Sequence, residues 1–111
     1  MKNKEVDLLE VIEQIRKLDN QLESQTIAVF FAVCEHEGKD GISMQELASL
    51  LHIAQSSISR NVYKLSQVNR HRVKGLGLVE SYEDPLERRR KLVTTTLKGR
   101  KLYTKLSSLV K

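Results

Sequence analysis

Apolar residues recur at helical spacing in five stretches of the chain, and this pattern predicts five helices. The first helix is predicted over residues 5–22, where apolar residues follow one another at steps of three and four. These residues are Leu8, Val11, Ile15, Leu18 and Leu22. Two heptads are too short for an autonomous coiled coil, so we expect this helix to pack against the domain, against its copy in a second chain, or against both.

A second, more apolar helix is predicted over residues 24–37. Ser24 or Thr26 is expected to cap its start, and Gly38 is expected to end it. Because this helix carries both phenylalanines of the chain, we expect it to be the central helix of the core. Its apolar stripe comprises Ile27, Phe30, Phe31 and Cys34.

Residues 43–65 predict two short helices joined by a tight turn, which is a helix-turn-helix motif. Ser43 and Glu46 have the spacing of a capping box at the start of the first helix, and Ile42 can add a very short strand before it. The outward face of the second helix carries no carboxylate and comprises Gln55, Ser56, Ser57, Ser59, Arg60, Tyr63 and Lys64. Short hydrogen-bonding groups and long cations suit base edges and phosphates, so this face is a candidate DNA-recognition surface.

A basic stretch follows Leu65 and leaves two alternatives open. The helix continues to residue 74, so that the motif spans residues 43–74, or the stretch is a basic loop that ends at Gly75. In both cases we expect its cations to lie beside the outward helix face and to contact DNA. These cations are Arg70, Arg72 and Lys74.

Residues 78–96 predict a β-hairpin with a turn at Asp84-Pro85. Four consecutive cations, Arg88, Arg89, Arg90 and Lys91, follow Glu87, and we place them on an exposed loop at the tip. Such a run repels itself unless an anion relieves the repulsion, although a solvated loop remains the alternative.

The last helix is predicted over residues 97–110, with Thr96 as its cap. The predicted fold is therefore mainly α with a small β-hairpin, arranged as a single winged helix-turn-helix domain over residues 1–111. Both terminal helices have an apolar face to hide, which favours a two-fold homodimer built from the chain ends. The predicted dimer contacts are Leu8, Val11, Ile15, Leu18, Leu102, Leu106 and Leu109.

Composition agrees with a folded domain, because 40% of the 111 residues are apolar and 30% are charged. No apolar run approaches the 18 or so residues of a membrane span, so we expect no membrane partner and a cytoplasmic location. The one cysteine, Cys34, cannot form an internal disulfide. We interpret it as a small buried apolar residue, with a redox-sensing thiol as the less favoured alternative.

Charge is divided unevenly along the chain. Residues 1–53 hold five Lys and Arg against ten Asp and Glu, whereas residues 54–111 hold fourteen against four. The second half therefore carries a net charge of +10 and is expected to attract a polyanion.

Catalytic chemistry finds little support in the sequence. The chain has no glycine-rich phosphate loop and no nucleophile, base and orienting group at a telling spacing. Its three histidines, His36, His52 and His71, fall in three different elements, so we expect neither an enzyme nor a metal or other cofactor.

The residues from about Ile42 to Leu106 resemble the MarR family of bacterial transcription regulators. The stretch from Asp84 to Gly99, DPLERRRKLVTTTLKG, is similar to the wing of that family. Leu47-Ala48 followed by QSSISR at residues 55–60 is similar to its recognition helix. The segment from Ser66 to Leu76 is longer than the family's usual connection, and the last helix is shorter, so the chain resembles a short variant of the family.

The resemblance implies a homodimeric regulator that binds double-stranded DNA at an inverted repeat. By this resemblance Arg89 enters the minor groove with Glu87 steering it, while Arg88, Arg90 and Lys91 face the DNA backbone. Family members bind small phenolic ligands beside the dimerisation helices, but nothing in this sequence supports such an effector. The alternative is a winged helix used for protein interaction or non-specific DNA binding in a replication or packaging complex.

Overall fold

The computed structural model describes residues 7–37, 40–66 and 75–110, and these form five helices and one antiparallel three-stranded sheet. The fold is the predicted winged helix-turn-helix, mainly α with a small hairpin. In chain order the elements are α1 (Leu8–Leu18), α2 (Ser24–His36), β1 (Ile42–Ser43), α3 (Met44–Leu51), α4 (Gln55–Leu65), β2 (Val79–Asp84), β3 (Glu87–Thr95) and α5 (Leu97–Ser107).

The first two helices begin and end at local polar signals. Asp7 caps α1 by accepting a hydrogen bond from Glu10 N at 3.1 Å, and Asp19 ends the helix earlier than the predicted residue 22. Glu23, rather than Ser24 or Thr26, occupies the cap position of α2, so the predicted cap is wrong. Thr26 is buried instead. The predicted terminator Gly38 lies outside the described residues.

The sheet has the strand order β1-β3-β2, with β3 in the middle. The short strand expected at Ile42 is confirmed, because Ile42 pairs with Val93 of β3. On the other side Val79 pairs with Thr95, which places the base of the hairpin beside the helices. This pairing ties the wing to the residue that precedes α3, so wing and helix-turn-helix share one framework.

The core forms where α2 meets the helix-turn-helix and the base of the sheet. Val29 and Val33 of α2 are fully buried, and Phe30 is nearly so. The buried face of α2 differs from the predicted apolar stripe, because Phe31 and Cys34 of that stripe are only half-buried at the edge of the core. Burying twelve apolar side chains larger than alanine here provides the main driving force for folding. Those contributed by the other elements are Ile42, Met44, Leu47, Ile58, Val62, Leu65, Leu78, Val79 and Val93.

A polar bridge inside this core joins α2 to α4. Thr26 Oγ1 donates to Asn61 Oδ1 at 2.5 Å, and Asn61 Nδ2 donates to Gln25 Oε1 and to Ser57 O, each at 2.9 Å. Thr26 and Asn61 are both buried, so each satisfies the other's hydrogen-bonding groups. The bridge fixes the rotation of α4 about its axis and hence the direction of its outward face.

We expect Asn61→Ala to lower the free energy of unfolding by about 1–3 kcal/mol, because it leaves the buried Thr26 hydroxyl without its acceptor. Urea unfolding followed by circular dichroism measures the change. The control Gln25→Ala removes the exposed partner and should cost much less. If Asn61→Ala and Gln25→Ala proved equally mild, the buried bridge would not be a structural determinant.

Helix α4 ends at Leu65, and Ser66 has an extended backbone, so the alternative in which the helix runs on through Ser66 is wrong. The chain returns to this point, since Leu78 N donates to Leu65 O at 2.8 Å and Gly77 N donates to Ser66 O at 3.2 Å. A Cβ atom at Gly75 would lie 1.8 Å from Ser66 O, so only glycine permits this approach. The predicted contacts Arg70, Arg72 and Lys74 lie outside the described residues.

Helix α5 is capped as predicted, with Thr96 Oγ1 accepting from Gly99 N at 3.0 Å. It ends at Ser107 rather than at residue 110. The start of the described chain meets its end, because Asp7 N donates to Leu109 O at 3.0 Å. The terminal helices are therefore neighbours within one chain.

Several predicted dimer contacts pack inside the chain itself. Ile15 is 5% exposed and Leu106 is 3% exposed, while Leu18 and Leu102 pack against the main core. The heptad spacing of α1 therefore reflects packing within the domain for these residues. Leu8 of the predicted set is exposed, and the other large apolar residues exposed on the terminal elements are Leu9, Ile12, Leu97 and Val110.

Candidate nucleic-acid interface

Helix α4 presents its polar face to solvent because Ile58, Val62 and Leu65 turn inward. Gln55, Ser56, Arg60 and Lys64 are exposed, and Ser57, Ser59 and Tyr63 are half-buried. No acidic residue lies in its first turn, and no side chain caps its start among the described residues. The start of α4 therefore combines the positive end of the helix dipole with a face that is neutral or positive.

Two contacts hold the cations of this face in the free protein. Arg60 Nη2 donates to Ser57 Oγ at 3.2 Å, one helical turn earlier. Lys64 Nζ lies 3.9 Å from Glu23 Oε1 at the start of α2, and both side chains are well exposed. Exposed contacts of this kind contribute little energy, so Arg60 and Lys64 can exchange them for a ligand at small cost.

The turn of the motif and the start of α3 are fixed by local chemistry. His52 adopts a left-handed conformation with φ of 57° at the end of α3, which reverses the chain toward α4. The predicted capping box is confirmed, since Glu46 N donates to Ser43 Oγ and Ser43 N donates to Glu46 Oε1, each at 3.0 Å. The hydrogen bonds from the Ser43 backbone and side chain lower the pKa of Glu46, with a smaller contribution from the Arg90 guanidinium.

The run of cations after Glu87 lies in strand β3 and not on a loop, which corrects the prediction. Lys91 pairs with Glu83 and Glu87 pairs with Asp84, so the register shifts between Glu83 and Asp84, and Arg88, Arg89 and Arg90 have no pairing partner on β2. The tip beyond this irregularity consists of Pro85 and Leu86. All four cations are exposed, as predicted.

Arg90 differs from its neighbours because it braces the wing. Its Nη2 donates to Glu46 Oε1 of α3 at 3.2 Å, and its Nε lies 3.8 Å from Asp84 Oδ2 at the tip. Within the described part of the chain, Arg88, Arg89 and Lys91 form no ion pair. Glu46 and Asp84 are therefore the carboxylates that orient a wing arginine, and the sequence analysis did not identify them. Among the described residues, Glu87 forms no ion pair with an arginine.

A second brace joins the end of α2 to the far end of β3. Glu37 Oε1 accepts from Thr95 N at 3.0 Å, and Glu37 Oε2 accepts from Thr95 Oγ1 at 2.7 Å. Arg100 Nη2 lies 3.5 Å from the same carboxylate. Arg90 within β3 and Thr95 at its end are thus both held by carboxylates of the helical layer.

Cys34 lies beside this brace and is unsuited to sensing oxidants. Burial, followed by the charges of Glu37 and Glu35, raises the pKa of its thiol to about 12. The thiol therefore stays protonated at neutral pH, and the thiolate is the reactive form. This favours the interpretation of Cys34 as a packing residue.

An open cavity of about 380 Å³ lies between α1, α2 and α5, where the sequence analysis found no support for an effector site. Glu35 Oε2 accepts a hydrogen bond from Tyr103 Oη at 3.1 Å at its edge, and burial and Glu35 raise the pKa of Tyr103. Its walls are mostly apolar and comprise Val11, Phe31, Glu35, Tyr103, Leu106, Ser107 and Val110.

Within residues 7–37, 40–66 and 75–110, no three His, Cys, Asp or Glu side chains gather in the manner of a metal site. No helix in the same residues is long and apolar enough to cross a membrane.

The fold and the exposed basic strand place the protein in the winged helix-turn-helix class. Comparison with solved structures shows which members of this class it resembles. The S. aureus MepR–DNA complex aligns over 93% of this chain and 75% of MepR, with 19% identity and a TM-score of 0.73. A MarR-family transcriptional regulator from Rhodococcus sp. RHA1 aligns over 89% of this chain and 64% of its own, with 25% identity and a TM-score of 0.62. PcaV from Streptomyces coelicolor, solved with its natural ligand, aligns over 92% and 69%, with 22% identity and a TM-score of 0.60.

The chain has the fold of the MarR-family winged-helix transcription regulators, as its resemblance to that family implied. It spans less than two-thirds of the Rhodococcus regulator and three-quarters of MepR. No protein-family model and no curated protein matches the sequence.

Proposed function

We propose that the protein is a transcription regulator that binds double-stranded DNA in a sequence-specific manner and acts as a repressor. The observation that carries this proposal is the polar, carboxylate-free face of α4 beside an exposed strand of cations, both held rigidly on a fold shared with MarR-family regulators. The structural neighbour MepR was crystallised with DNA, which supports the same partner class.

In this proposal α4 enters the major groove and reads base edges with its first turns. Gln55, Ser56, Ser57 and Arg60 contact bases, because short polar groups and an arginine can reach the donors and acceptors there. Phosphates are held by Ser59, Tyr63 and Lys64, which lie toward the edges and the end of the helix. In this proposal the bound protein represses by blocking access of the transcription machinery to the site.

The proposed active species is a homodimer that binds an inverted repeat. The exposed apolar residues Leu8, Leu9, Ile12 and Val110, with the predicted Leu109 beside them, supply a surface for a second copy. Two copies related by a two-fold axis would place their α4 helices about 34–36 Å apart, in successive major grooves. The cavity beside these residues is a candidate site for a small, largely apolar effector, and PcaV was solved with a ligand of its own.

Selection of bound sites from random DNA tests the proposal, with the mass of the complex measured alongside. We expect a palindromic motif bound by two chains. A non-palindromic motif bound by one chain would contradict the dimer. Binding that is salt-sensitive but blind to sequence, or no binding, would instead favour the protein-interaction or non-specific module.

The wing can be tested by comparing two adjacent arginines. Arg89 has no ion pair among the described residues, so we expect Arg89→Ala to weaken binding to the selected site at least about tenfold through loss of its minor-groove contact. Arg90 is engaged by Glu46 and Asp84, so Arg90→Ala should lower affinity less and should lower the free energy of unfolding slightly. Fluorescence anisotropy gives both affinities. Unchanged affinity in Arg89→Ala would refute its minor-groove role.

A further inference from the structure

An apolar side chain stands at the tip of the basic hairpin. The ladder between β2 and β3 closes with Asp84 opposite Glu87, so the tip consists of Pro85 and Leu86 alone. Leu86 is 96% exposed, more than any other large apolar residue in the described part of the chain. Its position has no role in the core, and exposure of a leucine to water gains nothing for the free protein.

Local contacts restrict the conformation of the tip. Leu86 N donates to Asp84 Oδ1 at 2.9 Å, and the other oxygen of that carboxylate, Oδ2, lies 3.8 Å from Arg90 Nε. The ring of Pro85 restricts its φ angle. A held turn keeps the Leu86 side chain projecting from the end of the hairpin, so inserting it into a ligand requires little further ordering.

The surroundings of Leu86 indicate which ligand would cover it. Arg88 and Arg89 follow within three residues, are exposed and form no ion pair among the described residues. An apolar point flanked by cations is complementary to stacked base pairs that lie between two rows of phosphates. The surface proposed for a second copy belongs to α1 and to the residues after α5, whereas Leu86 lies at the tip of the hairpin, so the two are separate elements of the chain.

The length of the hairpin suits a neighbouring minor groove. The reach is counted along β2, because residues 88–90 of β3 have no partner in the ladder: Ser81, which pairs with Val93, lies five residues from Leu86, and a strand of that length spans at most about 17 Å. Half a turn of B-DNA, which separates a major groove from the next minor groove, is about 17 Å. The base of the wing is fixed to the helix-turn-helix by the pairing of Ile42 with Val93, so the tip reaches outward from a set origin.

We propose that Leu86 is a wedge that enters the minor groove beside each half-site, partly unstacks one base step and kinks the DNA. This inference rests on the proposed binding of double-stranded DNA. It adds a specificity determinant, because pyrimidine–purine steps such as TA and CA unstack most easily and are favoured at the wedged position without any base-edge hydrogen bond.

The test uses a 40-base-pair duplex that carries a palindrome recovered by the selection experiment. Dyes at the two ends report bending by energy transfer, and 2-aminopurine placed at successive flanking positions reports unstacking. The wild-type chain is expected to bend the duplex by about 20° or more and to raise 2-aminopurine fluorescence at one step per half-site. Leu86→Ala should bind about tenfold more weakly, lose both signals and keep the salt dependence, because no cation is removed.

Leu97→Ala is the matched control, since Leu97 is also exposed but begins α5 at the end of β3 opposite the tip. It should leave affinity, bending and fluorescence unchanged, and Leu86→Met should retain most of the bend. Equal bending by Leu86→Ala and the wild type would overturn the wedge while leaving DNA binding intact. Failure of the wild-type chain to bind any duplex would refute both proposals. Leu86-dependent binding to vesicles of anionic phospholipid, with no effect of Leu86→Ala on the duplex, would assign the tip to a lipid surface and overturn the wedge.

Discussion

Gly99→Ala is expected to lower the free energy of unfolding by about 3 kcal/mol or more, at the upper end of what overpacking costs. Helix α5 crosses the backbone before β2 so closely that a Cβ atom at residue 99 would lie 2.0 Å from Leu78 O. That carbonyl also accepts a hydrogen bond from Thr96 N at 3.0 Å, so it cannot move away freely. A domain of this size has only about 5–15 kcal/mol of stability, so the loss is a large fraction.

The sign of this effect is diagnostic. In an unobstructed helix interior, replacing glycine by alanine raises stability by about 1 kcal/mol. Thermal unfolding followed by circular dichroism should therefore show a fall in Tm of more than about 10 °C for Gly99→Ala. Thr104→Ala, at an exposed position of the same helix, should change Tm only slightly. A higher Tm in Gly99→Ala would mean that α5 does not approach Leu78 as described.

Arg60→Ala is expected to weaken binding to the selected palindrome by about 1–3 kcal/mol, or about 5- to 150-fold, and to relax the preference at one base position. Arg60 is exposed on α4, and its only hydrogen bond among the described residues is the contact with Ser57 Oγ at 3.2 Å. A guanidinium held in this way can form a bidentate pair with a guanine without breaking a strong internal contact.

Two control variants separate base recognition from simple charge. Arg60→Lys keeps the charge but not the bidentate geometry, so it should lose most of the specificity while retaining non-specific affinity. Lys101→Ala removes an exposed cation from α5 and should leave sequence preference unchanged. Titration against the selected duplex and a scrambled duplex measures the sequence-specific and the non-specific affinity of each variant. Equal weakening on the two duplexes would make Arg60 a phosphate contact, and no weakening would show that α4 is not the recognition helix.

Local signals in the sequence were sufficient for most element boundaries in the helix-turn-helix and at α5. Ser43 with Glu46, and Thr96 with Gly99, satisfy backbone groups three residues away, so the chain needs no distant partner to form them. The end of α1 was misplaced although a signal was present. Asp19 Oδ1 accepts from Gln21 N at 2.9 Å, which is the turn that Asp-Asn at residues 19–20 favours.

The wing shows where local reasoning fails. A run of four cations resembles a solvated loop when like-charge repulsion alone is considered. Its strand conformation depends on hydrogen-bonded partners such as Glu83, which faces Lys91 across the ladder, and on Glu46 from another element. The heptad seam of α1 left two alternatives open for the same reason, because its spacing is the same whether it packs within the chain or against a second copy.

Periodicity, caps and charge asymmetry in the sequence were enough to predict the winged helix-turn-helix fold, the outward face of α4 and a basic second half, since each depends on residues a few positions apart. Folding in three dimensions decided the bridge of Thr26 to Asn61 and the brace of Glu37 to Thr95, which join residues 35 and 58 positions apart. It also decided that Arg90 pairs with Glu46 and Asp84 and that Ile15 and Leu106 are buried. The exposure of Leu86 at the tip of the hairpin likewise depends on the tertiary structure. Buried polar groups need hydrogen-bond partners, and those partners come from elements that only the packing of the helices and sheet brings into contact. A pattern of neighbouring residues in the sequence cannot show which of these groups will pair.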